Sequence, residues 1–184
     1  MGFVFAESKR RIEVEKAAKI GQEVKGISKV GVFVNQSLQE VQEIAEFCNL
    51  DFVQLHGEET PAYCYSLGRP VIKAFRVGFD FSVEKSKEYQ VDWLLLDSFA
   101  PGRYGGTGVT FDWLSMQELA SQIHRPMMIA GGLTPENVGA AIAALSPRGI
   151  DVSGGVETNG TKDIEKLQRF ISAARRAEGG GMVC

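Results

Sequence analysis

The sequence predicts an α/β protein built on a parallel sheet, for three reasons. Short apolar runs rich in Val, Ile and Phe recur along the chain, as strands covered on both faces require. Longer segments with one apolar face at helical spacing lie between them. The two kinds alternate strictly, which calls for crossover helices between parallel strands. A repeat of roughly 20 to 30 residues suits a flat doubly wound sheet or a closed barrel equally well, so pattern alone leaves both open.

In chain order, strands are expected at 2–5, 29–34, 51–55, 70–74, 93–97, 126–130 and 149–152. About seven helices accompany them. The first is expected at 12–24, with one apolar face. Ser37-Leu38-Gln39-Glu40 reads as a capping box ahead of the stripe Val41, Ile44, Ala45 and Cys48. Thr134 as N-cap, with Pro135 at the first helical position, opens a helix that runs to about Leu145. A final helix is expected over 162–177. Seven strands fall one short of the eight that close a barrel.

Composition narrows the function. The 184 residues are 44% hydrophobic and 23% charged, enough for one domain with a continuous core. Twenty Lys and Arg stand against 23 Asp and Glu, for a net charge of −3, and no basic block suggests a nucleic-acid partner. No apolar run reaches the roughly 18 residues a membrane span needs, and no signal peptide precedes the first strand, so no membrane partner is expected. Cys48, Cys64 and Cys184 form no Cys-x-x-Cys pair, which fits reduced thiols in a cytoplasmic protein. There is no metal-ligand cluster, dinucleotide fingerprint or Gly-x-Ser-x-Gly elbow, so metal, nicotinamide and serine-hydrolase chemistry are not expected.

Either architecture gathers its chemistry at the C-terminal ends of the strands. His56 follows a strand in Gln54-Leu55-His56-Gly57 and reads as a satisfied structural residue or a site residue. Asp97 closes the apolar run Leu94-Leu95-Leu96, where burial would raise its pKa and suit it to general-acid work; the alternative is a turn or cap residue. Ala130-Gly131-Gly132-Leu133 runs into a helix start. Asp151-Val152-Ser153-Gly154-Gly155 again ends a strand in small residues. Each glycine pair alone is a tight turn as readily as a ligand loop. Two consecutive strand ends of this kind point to a phosphate site. The segment 102–108, rich in glycine, reads as a lid over the site or as a plain surface loop.

Taken in order, these motifs resemble the phosphoribosylanthranilate isomerase family. The resemblance is carried by Val30-Gly31-Val32-Phe33-Val34-Asn35, Val53-Gln54-Leu55-His56-Gly57-Glu58 and Leu95-Leu96-Asp97. It continues through Gly105-Gly106-Thr107-Gly108 with Phe111-Asp112-Trp113, Ala130-Gly131-Gly132-Leu133, and Asp151-Val152-Ser153-Gly154-Gly155-Val156-Glu157. It covers residues 2 to about 177 and implies a (β/α)8 TIM barrel. It also implies a reaction of tryptophan biosynthesis that needs no cofactor. This is the Amadori rearrangement of N-(5-phosphoribosyl)anthranilate to 1-(2-carboxyphenylamino)-1-deoxyribulose 5-phosphate. Asp97 matches the family's general acid, and Arg10 the arginine that pairs with the anthranilate carboxylate. His56 and Asp151 match substrate-side positions, with Asp151 near the sugar hydroxyls. Gly131, Gly132, Ser153 and Gly154 match the phosphate cradle. An aldolase reading would need a Schiff-base lysine, for which only Lys73 qualifies.

The resemblance is incomplete in one place. Family members open with a strand bearing the general-base cysteine, then a helix, before the strand that here starts at Gly2. The expectation is a barrel lacking its first β/α unit over 1–178. Residues 179–184, Gly-Gly-Gly-Met-Val-Cys from Gly179 on, then read as a linker and a remnant of the first strand. That describes a truncated circular permutant with Cys184 as its base and activity reduced or lost. The alternative is a catalytically inactive engineered fragment that keeps only phosphate binding. Open strand edges would favour a homodimer.

Overall fold

The computed structural model describes residues 1–98 and 112–179. Seven strands form one sheet in the order β1-β2-β3-β4-β5-β6-β7, and a separate two-stranded hairpin, β8-β9, follows. The pairings β1–β2, β2–β3, β3–β4 and β6–β7 are parallel. Strand order equal to chain order is the arrangement of a TIM-type barrel sheet and not of a doubly wound one, whose order reverses. The fold is therefore of the (β/α) barrel class, with seven sheet strands among the described residues.

The chain divides into two compact units. The first comprises Met1–Ala74 with Glu84–Leu94. It holds β1 (Gly2–Val4), α1 (Val14–Glu23), β2 (Val30–Phe33), α2 (Leu38–Phe47), β3 (Phe52–Leu55), α3 (Pro61–Ser66), the start of β4 (Val71–Val77) and most of α4 (Val83–Lys87). The registers Gly2↔Val30, Val32↔Gln54 and Leu55↔Lys73 tie its strands together. Phe33, Val53 and Leu55 from the sheet and Ala17, Val41 and Ala45 from the helices are wholly buried. The Phe5 and Phe33 rings stack at 5.2 Å between centroids.

Helix α1 starts later than the apolar spacing predicts. Arg11 bridges Val4, and the Ile12 N–H donates to the Val4 carbonyl at 2.9 Å, so this stretch runs beside β1 first. Only half of the capping box before α2 forms. The Ser37 hydroxyl accepts from the Glu40 N–H, while the Glu40 carboxylate is taken by the Gln36 amide.

The second unit comprises Phe75–Val83 with Leu95–Cys184. It holds the end of β4, most of β5 (Trp93–Ser98), α5 (Trp113–Ser121), β6 (Met127–Ile129), α6 (Val138–Leu145), β7 (Gly149–Ile150), a 3-10 turn (Gly154–Val156), β8 (Glu157–Thr158), β9 (Thr161–Lys162) and α7 (Ile164–Gly179). Leu95, Leu96, Ile129, Leu133, Val138, Ala141, Val156 and Phe170 are its core. The Asp112 carboxylate caps α5 by accepting from the Leu114 and Ser115 N–H groups.

Two sequence expectations are corrected here. Residues 135–137 form a turn, so α6 opens at Val138 and not at Pro135. The Asn137 side chain causes this, since it accepts from the Thr134 N–H at 2.7 Å and donates to the Gly132 carbonyl at 2.9 Å. The last helix starts at Ile164 because Asn159 and Gly160, with φ of 52° and 79°, make a hairpin turn that carries Lys162 into β9. Asp163 then caps α7, accepting from the Glu165 and Lys166 N–H groups.

Candidate active site

The C-terminal end of β5 carries Asp97, which is 4% exposed. Burial, and after it the Asp151 carboxylate, push its pKa up to about 6, against a smaller opposing effect of the Ser98 N–H. Its Oδ1 and the neighbouring Ser98 hydroxyl are both buried without a hydrogen-bond partner among the described residues. Unsatisfied buried oxygens of this kind are rare in folded proteins, and a catalytic role is one of the reasons for them.

Gly131 is what leaves room there. Its φ is 84°, and a Cβ on it would lie 2.5 Å from Asp97 Oδ1 and overlap the Ser98 hydroxyl. Gly132 follows with φ of 62°, so the chain after β6 curls beside the acid. The loop after β7 meets this curl directly, because a Cβ on Gly155 would overlap the Leu133 carbonyl. The glycine loops after β6 and β7 are thus in backbone contact, with Ser153 half-buried and Gly154 exposed. Asp151 is half-buried, its N–H donating to the Ile129 carbonyl at 2.9 Å. The second unit therefore brings together Asp97, Gly131, Asp151 and the Gly132 and Ser153–Gly154 loops. A carboxyl whose pKa is raised toward neutrality beside a small-residue loop pair can donate a proton to a ligand held by its anionic end.

In the first unit, Arg10 is half-buried in the loop after β1, its N–H donating to the Ser8 hydroxyl at 3.1 Å. His56 follows β3, with its Nε2 2.6 Å from the Gln54 amide nitrogen. With that amide donating, the ring accepts at Nε2 and carries its proton on Nδ1. Around it lies a network that the sequence does not announce. Lys73 and Glu59 form an ion pair of 2.9 Å with side chains only 2% exposed. The Lys73 ammonium also donates to the Gly57 carbonyl at 2.7 Å and the Leu55 carbonyl at 3.3 Å, on either side of His56. Glu59 Oε1 accepts from the Asn35 and Gly57 N–H groups, joining the loops after β2 and β3. With its ammonium committed to these acceptors, Lys73 is a structural cation, unlike the nucleophile an aldolase needs.

Cys184 and the segment 102–108 lie outside the described residues. Cys48 and Cys64 are buried free thiols, and burial pushes both pKa values up, that of Cys64 to about 11. Neither is a reactive thiolate. Among the described residues, no group of three or more His, Cys, Asp or Glu could hold a metal ion. No described helix is long and apolar enough to cross a membrane.

Strand order and strand-end residues together define a (β/α) barrel with a buried acid beside paired glycine loops. Residues 1–173 match the family model described as N-(5'phosphoribosyl)anthranilate (PRA) isomerase. The chain belongs to that family, the aldose–ketose isomerases of tryptophan biosynthesis. A relative from Desulforudis audaxviator, named N-(5'-phosphoribosyl)anthranilate isomerase, is 49% identical over 181 residues, covering 96% of this chain and 87% of its own. A crystal structure of monomers made from the dimeric Thermotoga maritima isomerase is similar at 36% identity and a TM-score of 0.83, over 95% of this chain and 86% of that one. Another isomerase, solved with reduced 1-(o-carboxyphenylamino)-1-deoxyribulose 5-phosphate, is 34% identical with a TM-score of 0.79, over 95% and 86% of the two chains.

Proposed function

We propose that Asp97 is the general acid of the Amadori rearrangement in this chain. The observation that carries the reading is the buried Asp97 carboxyl, its Oδ1 unpartnered among the described residues and its pKa raised to about 6, facing the space that Gly131 leaves. In the proposed sequence Asp97 protonates the furanose ring oxygen of the substrate, the ring C–O bond breaks, and a Schiff base forms. A base then removes the C2′ proton, and the resulting enolamine tautomerises to the aminoketose. The base is assigned to Cys184.

The substrate's phosphate lies against Gly131, Gly132, Ser153 and Gly154 in this reading. Arg10 meets the anthranilate carboxylate, for which its planar fork is suited. His56 and Asp151 face the rest of the substrate. The isomerase whose structure holds the reduced product analogue supports this choice of ligand. The protein works in the cytoplasm, as a homodimer.

The test is a steady-state assay that follows loss of the fluorescent anthranilate substrate. Asp97→Asn should fold and lose about 10²- to 10⁴-fold in kcat. Substantial turnover by that variant would sink the assignment of the acid. Cys184→Ser should be similarly impaired if the thiol is the base, and unchanged turnover there would move the base elsewhere. No turnover by the unaltered chain, with phosphate still bound, would favour the binding-only fragment.

A further inference from the structure

The β8-β9 hairpin is not used by the mechanism above, yet it touches the phosphate loop. Asn159-Gly160 turns the chain back so that Lys162 stands opposite Glu157 in register. The Lys162 ammonium bonds Glu157 Oε1 at 3.0 Å, the Ser153 carbonyl at 2.9 Å and the Ser153 hydroxyl at 3.5 Å. Three further bonds hold the hairpin to the following helix and its cap, one of them from the Thr158 hydroxyl to the Asp163 carboxylate at 2.6 Å. The Lys166 ammonium donates to the Glu157 carbonyl at 2.8 Å, and the Asp163 N–H donates to the Val156 carbonyl at 2.9 Å.

We infer that Lys162 is a positioning residue for phosphate, acting by fixing the Ser153–Gly154 peptide and not by its charge; this rests on the reading of Gly131–Gly132 and Ser153–Gly154 as the phosphate cradle. In a trans peptide the carbonyl and the next N–H point in opposite directions. Aiming the Ser153 carbonyl at Lys162 therefore aims the Gly154 N–H away from it, on an exposed residue. On the other side the loop is seated by Gly155, whose backbone leaves no space for a Cβ against Leu133. The peptide is held from both ends: glycine packing sets its depth and Lys162 sets its rotation.

Charge is the weaker explanation. The carboxylate that balances Lys162 belongs to Glu157, whose side chain is 8% exposed, whereas the lysine side chain is 49% exposed. The pair is neutral as a unit, so its field at a bound dianion is small, while its hydrogen bonds are directional. An arginine can supply the same donors and a methionine cannot.

The experiment compares the unaltered chain with Lys162→Met, Lys162→Arg and Lys162→Gln. KM and kcat are measured, with inorganic phosphate as competitive inhibitor and as titrant in calorimetry. Lys162→Met should raise KM and the phosphate inhibition constant about tenfold, the size of one charge-assisted hydrogen bond, with kcat within about twofold. Lys162→Arg should return both to within about threefold, and Lys162→Gln, keeping one donor, should fall between. Arg169→Met breaks the surface pair with Glu136 and serves as the control that leaves KM unchanged.

A Lys162→Met enzyme with unaltered KM and phosphate affinity overturns the inference. So does a variant that loses kcat instead and is not rescued by arginine, since that is the mark of general loosening. If Lys162→Met does not fold, the Gln and Arg variants decide by the same comparison. Absence of phosphate binding to the unaltered chain overturns the cradle reading itself, and this inference with it.

Discussion

The ionisation of Asp97 links the proposed chemistry to stability. Its folded pKa, near 6, lies above its ordinary value of 3.8, so the fold favours the protonated form. As pH rises from about 4 to 6 the unfolded chain releases this proton and the folded chain keeps it. Stability therefore falls across that window and levels off above pH 6. The shift of about two units corresponds to about 3 kcal/mol at most. Asp97→Asn removes the penalty, so at pH 8 the variant should unfold at higher denaturant than the parent, and at pH 4 the gap should close. Equal midpoints at both pH values would mean the carboxyl is not strained by its burial. The same proton governs activity: kcat/KM should decline on the alkaline side from about pH 6, as a required acid is lost. Gly131→Ala makes a harsher test of the same spot. A Cβ at φ 84°, against both Asp97 Oδ1 and the Ser98 N–H, should cost about 1–3 kcal/mol by chemical denaturation and cut kcat with it.

Elements that position the site differ in how well the sequence reveals them. The burial of Asp97 and its raised pKa were legible because an acid that ends an apolar run is carried inside with it. The glycine pairs were legible because two successive strand ends share them. Lys73 was not, for it sits inside an apolar run and its partner Glu59 lies across a loop, so nothing local signals a buried pair. Lys162 was hidden for another reason: apolar spacing started the last helix at Lys162, which is the final residue of a six-residue hairpin, 157–162, whose Asn-Gly turn precedes it. The buried pair makes a prediction for its strands. Lys73→Met leaves Glu59 charged and unpaired and should cost about 3–5 kcal/mol in denaturant unfolding. Adding Glu59→Gln should recover part of that loss, because the orphaned charge is gone and the amide can still bond the Asn35 and Gly57 N–H groups through its oxygen. If the double variant is no more stable than Lys73→Met, the pair is not the clasp that its geometry suggests.

At the scale of the whole molecule, alternation of strand and helix was enough for the class, but barrel and doubly wound sheet share that pattern. Only the strand order separates them, and order is a long-range property that no local residue choice encodes. Self-association belongs to the same scale. Among the described residues β1 and β7 are the outermost strands of the sheet order, and an outermost strand can offer N–H and C=O groups to a second chain. On β1 that tendency is partly met from within, since Arg11 and Ile12 pair with Val4. The bridge is confined to one position, and Gly2 and Phe3 gain no such partner from it. In the proposed homodimer a second copy of the same chain occupies that edge. Light scattering at micromolar concentration should then return about twice the chain mass of 20.1 kDa. Dilution toward nanomolar concentration should lower that mass and the unfolding temperature together, because a dimer's stability depends on protomer concentration. A mass of 20.1 kDa that does not change from nanomolar to tens of micromolar would refute the dimer and leave the Arg11–Ile12 bridge as the chain's own answer to its edge.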